Sequence, residues 1–127
     1  LCVPFLSGDP GIYSARYAGP EATDIDNLLK IRSALKGASD RRAFFYCVLV
    51  YMEAAEDPTP IITEARWEGE IANEPSGDQG FGYDPIFRIP SLGKTAAELS
   101  SEQKNSISHR GQALAALSGQ LSYRYAT

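Results

Sequence analysis

The clearest pattern in the chain is a strict alternation from Thr63 to Ile71. Thr63, Ala65, Trp67, Gly69 and Ile71 share one side, and Glu64, Arg66, Glu68 and Glu70 the other, which predicts a strand with one solvated face. Before it, "RAFFYCVLVYM" at 42–52 is aromatic or β-branched at most positions, a composition suited to a central strand covered on both faces. "AAEDPTP" separates the two runs, so an antiparallel hairpin is expected. Upstream, Ile25, Leu28, Leu29, the stem of Arg32 and Leu35 recur at spacings of three and four. With Thr23 or Asp24 as cap and Gly37 as stop, they predict an amphipathic helix packed on the sheet. Thr95-x-x-Glu98 and Ser100-x-x-Gln103 are successive capping patterns before a final helix, whose buried face is predicted as Ile107, Leu114, Leu117 and Leu121.

Between an opening apolar element, "LCVPFL", and the first helix lies "SGDPGIYSARYAGPEATD". Its Gly, Pro and Ser content predicts an irregular surface segment, and loops of that length usually carry a function. There are no internal repeats and no linker, so 127 residues are read as a single domain, 1–127.

Charge narrows the functional classes. The formal net charge is −4 and the longest basic cluster is Arg41-Arg42, which leaves no footprint for a nucleic-acid backbone. An acidic chain that handles a polyphosphate is expected to recruit a divalent cation. Cys2 and Cys47 sit in apolar surroundings without ligand spacing and read as free thiols in a reducing compartment. No apolar run approaches the roughly 18 residues needed to span a bilayer, so no membrane partner is expected and the cytoplasm is the default. The chain starts without Met on an element already under way, which reads as an upstream part being absent.

Candidate chemistry concentrates in two places. "GDQGFGYDPIF", residues 77–87, combines glycines, aspartates and aromatics; it has neither the closing Lys of a Walker loop nor the spacing of a dinucleotide fold. Phe81 and Tyr83 cannot both be buried on one face of so tight a turn, so at least one ring is expected to face a cleft, with Asp84 as a nearby acceptor. An aromatic plate beside a carboxylate and external donors is a way to hold a purine. The glycines could equally serve the turn alone. The second place is "KNSISHRGQAL", with Lys104, the chain's single His, His109, and Arg110. It reads either as a set of donors at one end of a helix or as a solvated basic helix start. A zinc site lacks further ligands, and no nucleophile elbow supports a Ser-His-Asp triad.

In order, "PGIYSARYAG", "GEI", "GFGYDPIF", "KTAAEL" and "KNSISHRGQAL" closely resemble the inosine triphosphate pyrophosphatase family of non-standard purine nucleoside triphosphate pyrophosphatases, from the first residue to about Leu121. The resemblance implies an α/β fold: a long twisted mixed β-sheet flanked by helices, two-lobed, with a nucleotide cleft between the lobes. It implies Mg2+-dependent hydrolysis of ITP, dITP and XTP to monophosphate and pyrophosphate by a cytoplasmic homodimer that cleans the nucleotide pool. Phe81, Gly82, Tyr83 and Asp84 would form the substrate loop, with Phe81 against the base, and Lys104, His109 and Arg110 would complete the pocket.

The sequence departs from the family at its front. The family's acidic Asp-Asp-Ser-Gly stretch, its phosphate loop and its metal-binding Glu would all precede Leu1, so the chain resembles the C-terminal two thirds of such an enzyme. No catalytic or metal-binding residue is then expected within it, and the fragment alone is expected to be inactive or nearly so. The rival readings are a related pyrophosphatase of different base preference, such as the septum-inhibitor type, and an inactive nucleotide-binding or dimerisation module of the same fold.

Overall fold

In the computed structural model, which describes residues 1–126, the predicted hairpin forms the frame. β1 (Arg42–Tyr51) pairs antiparallel with β2 (Ile61–Ile71) along its full length, with Phe45 opposite Trp67 and Leu49 opposite Thr63. The alternation in β2 is realised as read: Ile61, Thr63, Ala65, Trp67 and Ile71 are buried, while Ile62, Glu64, Arg66 and Glu68 are exposed. Two short strands extend the sheet, β3 (Phe87–Ile89) against β2 and β4 (Lys94–Thr95) against β3. The order is β1-β2-β3-β4 and every pairing is antiparallel, so the parallel component of the expected mixed sheet does not occur among these four strands.

Among the described residues β1 lies at one edge of the sheet, not at its centre as predicted. Only its start is covered, where Cys2 bridges to Phe44 through two backbone hydrogen bonds of 2.8 and 3.0 Å. "LCVPFL" contributes that bridge and then a 3-10 turn, Pro4–Leu6. The outer face of the hairpin leaves Tyr46, Val48, Val50 and Ile62 exposed. Charged neighbours cover part of it: the Arg66 guanidinium lies 3.7 Å from the Phe44 ring centre, a cation–π contact, and the Tyr46 hydroxyl donates to Glu64.

The inner face carries the core. α1 (Asp24–Ala34) starts at Thr23, which forms a reciprocal capping box with Asp26. It buries Asn27, Leu28 and Ile31 with Leu35 just beyond, and leaves Ile25 and Leu29 exposed; the buried stripe is therefore rotated from the predicted one. Leu28, Ile31 and Leu35 join Val3, Trp67, Ile71, Ile86 and Phe87 in one cluster. Arg41 locks the end of α1 to the end of β2 by donating to the carbonyl oxygens of Leu35, Ile71 and Ala72 at 2.9, 2.7 and 3.2 Å, which satisfies a helix C-terminal carbonyl with a cation.

The single final helix of the sequence reading is two helices, α2 (Ser101–Ile107) and α3 (His109–Arg124), broken at Ser108. Both predicted capping boxes are present, that of Thr95 opening a 3-10 turn, Ala96–Glu98, and that of Ser100 opening α2. α3 packs across β1 and β2 through Ala113, which is fully buried, whereas Leu114 is exposed. The small Ala lets the backbone approach the sheet closely enough for the Thr63 hydroxyl to donate to the Ala113 carbonyl at 3.1 Å. Among the described residues no helix is long and apolar enough to cross a membrane.

Candidate nucleotide-base site

The glycine-rich loop is organised by Asp84. Its buried carboxylate accepts the Phe81 backbone N–H at 3.0 Å and the Lys104 ammonium at 2.5 Å. Gly80, at φ +73°, passes so close to that carboxylate that a Cβ would collide with it. Gly77, at φ +90°, lies against the Ala97 backbone, where a Cβ would come within 2.5 Å. Both positions need glycine for left-handed backbone and for close approach together. Asp84 is thus the anchor of the turn, and the turn presents Phe81 outward, 67% exposed.

Two further ties fix the loop against the chain's first third. The Gly82 N–H donates to Asp24 at 3.0 Å, on the first turn of α1. The Tyr83 hydroxyl, buried inside the molecule, donates to the Ser14 carbonyl at 2.7 Å. Burial, with Tyr17 and Asp24 nearby, pushes the Tyr83 phenol up to about 12, so it remains a donor at neutral pH. Asn27, also buried, clamps the irregular segment from the other side by accepting from Ala18 N–H at 2.8 Å and donating to the Ala15 carbonyl at 3.1 Å.

The break at Ser108 turns the second cluster toward the same place. Ser108 is extended, with ψ 161°, and its hydroxyl accepts from the Gly111 N–H at 3.1 Å, capping α3. His109 and Arg110 then open α3 while Lys104 reaches across from α2. The Lys104 ammonium lies 4.5 Å from the Phe81 ring centre, and its paired carboxylate leaves spare N–H donors. His109 is half-buried over Phe45 and Trp67. Desolvation, joined by repulsion from cations that include Lys104 and Arg110 and opposed by Asp84, pushes its imidazole down to about 4.

Phe81, Gly82, Tyr83, Asp84, Lys104, His109 and Arg110 therefore converge. All of them line a hollow of about 340 Å³, and Phe81, Lys104, His109 and Arg110 also line an adjoining one of about 550 Å³. A third hollow, of about 440 Å³, opens beside Arg32, Lys36 and Arg41, but its guanidinium groups are engaged: Arg41 with three carbonyls, Arg32 with the Asn73 carbonyl and Glu74. The hollow lined by Phe81, Lys104, His109 and Arg110 is the one that joins an exposed ring to basic donors.

The same pocket does not fit a divalent metal. Such a cation takes several oxygen ligands, and the pocket offers only two carboxylates, Asp24 and Asp84, the second already paired with the Lys104 ammonium. No group of three or more acidic, His or Cys side chains among the described residues is placed to hold a metal ion.

Phe81, Lys104, His109 and Arg110 were legible as candidates from the sequence, whereas the parts beneath and beside them were not. Phe45 and Trp67 read only as strand residues, and nothing in their pattern indicates a His lying on them. Asp24 was visible as a helix cap and Ser14–Ala18 as a loop with a function, yet their ties to Gly82, Tyr83 and Asn27 span 9 to 69 residues.

A profile of the Ham1 family matches residues 1–120. A protein named dITP/XTP pyrophosphatase from Nitrosomonas europaea is 58% identical over 122 residues, covering 96% of this chain and 60% of that protein. One of the same name from Escherichia coli K12 is 59% identical over 116 residues, 90% of this chain and 59% of that protein. Among solved structures, a HAM1 protein from Coxiella burnetii superposes with a TM-score of 0.91 at 52% identity, over 96% of this chain and 63% of that one. The Ham1 protein of Staphylococcus aureus does so with 0.89 at 45% identity, over 96% and 62%. The chain spans about 60% of the length of the curated relatives it matches.

Proposed function

Because the chain belongs to the Ham1 family, we propose that it is the base-reading part of a pyrophosphatase that cleaves ITP, dITP and XTP to the monophosphate and pyrophosphate, clearing non-standard purines from the nucleotide pool. The observation that carries this reading is the convergence of an exposed ring, Phe81, with donors from Lys104, His109 and Arg110 around one hollow.

The chemistry of selection follows from donor and acceptor placement. A 6-oxopurine presents an acceptor at O6 and a donor at N1, and adenine presents the reverse. Phe81 covers the face of the ring, and the basic side chains donate to O6. An adenine amino group set against those donors leaves buried polar groups unpaired, which can discriminate by factors on the order of 10⁴. Asp84 acts behind them, holding the turn and the Lys104 ammonium. Tyr83 is buried and supports the loop through Ser14.

Hydrolysis needs more than this pocket supplies. Attack of water on a phosphoryl group requires charge neutralisation and a positioned base; Mg2+, when bound, would supply the first. The pocket holds only two carboxylates, Asp24 and Asp84, and Asp84 is already paired with Lys104, so on this reading further metal ligands and the acidic base are supplied from outside the pocket. The whole protein is proposed to act as a cytoplasmic homodimer. The scarcity of carboxylates in the pocket also favours a second reading, a non-hydrolytic nucleotide-binding or dimerisation module of the same fold.

Arg110→Ala in the full-length protein tests the first reading. Losing one donor to the base is expected to lower the preference for ITP over ATP by about ten- to hundred-fold with little change in melting temperature; unchanged preference would count against it. For the isolated chain, no pyrophosphate release from ITP with Mg2+ is expected. Robust release would place the base within these residues after all.

A further inference from the structure

His109 rests on an aromatic shelf. Its ring lies 5.0 Å from that of Phe45 at an interplanar angle of 15°, and 6.3 Å from Trp67 at 17°. Phe45 and Trp67 are cross-strand partners in the β1–β2 register, themselves stacked at 6.0 Å, and Phe87 is tilted against both, at 4.6 and 5.0 Å. The shelf is part of the sheet, so the imidazole is positioned by the most extensively paired element of the fold. The one buried side-chain nitrogen or oxygen without a hydrogen-bond partner among the described residues is His109 Nδ1.

That orphan atom restricts the ring's protonation. A proton on Nδ1 would be a buried N–H with no acceptor, and orphaned buried N–H groups are rarer in folded proteins than under-used acceptors. An imidazolium would add an unpaired charge to the same defect. It would also sit at the positive end of the α3 dipole, beside Lys104 and Arg110, with Asp84 already engaged by Lys104. A neutral ring with its proton on Nε2 avoids both costs and leaves a single donor for the pocket.

We propose that Phe45 and Trp67 are positioning residues that hold His109 as a fixed Nε2–H donor toward the pocket, so that it donates to a ligand oxo group and cannot adapt to an amino group. A solvated histidine could exchange tautomers and serve either ligand; one held flat on the shelf with its Nδ1 buried and without a partner cannot. The role as a base-selecting donor rests on the reading given under Proposed function, whereas the tautomer and its support by the shelf do not.

The chain has a single His, which makes the test direct. Nitrogen-15 NMR of the labelled protein should show the proton on Nε2 from pH 8 down to about 5.5, with titration near 4. Phe45→Leu and Trp67→Phe should move that titration upward toward the ordinary value of about 6.5 and admit the other tautomer, whereas Phe44→Leu, on the opposite face, should not. A proton on Nδ1, an ordinary titration in the parent chain, or shelf variants that stay folded by circular dichroism with an unchanged imidazole would each overturn the proposal. Adding inosine and adenosine 5′-monophosphates separates the two readings. Inosine monophosphate is expected to bind at least ten-fold tighter and to shift the Nε2–H resonance. Binding of neither nucleotide, with the tautomer as described, removes the base-reading function and leaves the shelf; equal binding of both with a mobile tautomer removes the shelf's role.

Discussion

Asp84 shows how much one carboxylate organises. It is 3% exposed and serves the Phe81 N–H and the Lys104 ammonium at once, so it fixes both the ring and a principal donor of the pocket. Asp84→Asn preserves the shape and an acceptor but leaves a largely buried ammonium without its counter-charge. Stability should fall by about 1–3 kcal/mol, read as a lower urea midpoint at unchanged slope, and Lys104→Met combined with it should recover part of the loss because the unpaired charge is gone. Failure of the double variant to recover anything would mean that the pair contributes through the turn alone. The glycines around Asp84 were legible as punctuation; that Gly80 is required by the carboxylate itself was not, since the collision depends on how the turn closes.

At the scale of elements, the junction between α2 and α3 gives opposed expectations for two glycines of one helix. Gly111 crosses the Asn105 backbone carbonyl, which a Cβ would overlap, whereas Gly119 faces open space. Helix propensity favours Ala at both positions by about 1 kcal/mol. At Gly111 the obstacle is backbone and cannot swing aside, so overpacking of about 1–3 kcal/mol or more wins and Gly111→Ala destabilises. Gly119→Ala stabilises by about 0.5–1 kcal/mol. Thermal unfolding of the two variants side by side checks the sign of each. The capping boxes at Thr95 and Ser100 were readable from sequence because the bonds are local. The break at Ser108 was not, because a Ser inside an apolar-periodic run reads equally well as a helix interior.

For the whole molecule, His109 links the pocket to global stability through pH. Its folded value, about 4, lies below the roughly 6.5 of an unfolded His, so as pH falls through that window the unfolded state takes up a proton that the folded state refuses. Stability present above pH 6.5 is therefore lost progressively toward pH 4. The carboxylates held low by hydrogen bonds, Asp26, Asp40, Asp57 and Glu98, lose their contribution only at lower pH. His109→Gln, which cannot titrate, should flatten the dependence between pH 6.5 and 4.5 in urea titrations; an unchanged slope would show that another group controls it.

What the sequence determined by itself was local and periodic: the one-faced strand at Thr63–Ile71, the hairpin with its partner, the capped helix starts, and the residues Phe81, Lys104, His109 and Arg110 as candidate site groups. These follow from side-chain periodicity and from bonds spanning a few residues. Tertiary structure decided which face of α1 turned inward, that Ala113 rather than Leu114 meets the sheet, and that an aromatic pair from the hairpin lies under the single His. Each of those is settled by packing between segments far apart along the chain, where shape and the satisfaction of buried polar groups select among arrangements that the local pattern leaves equally open.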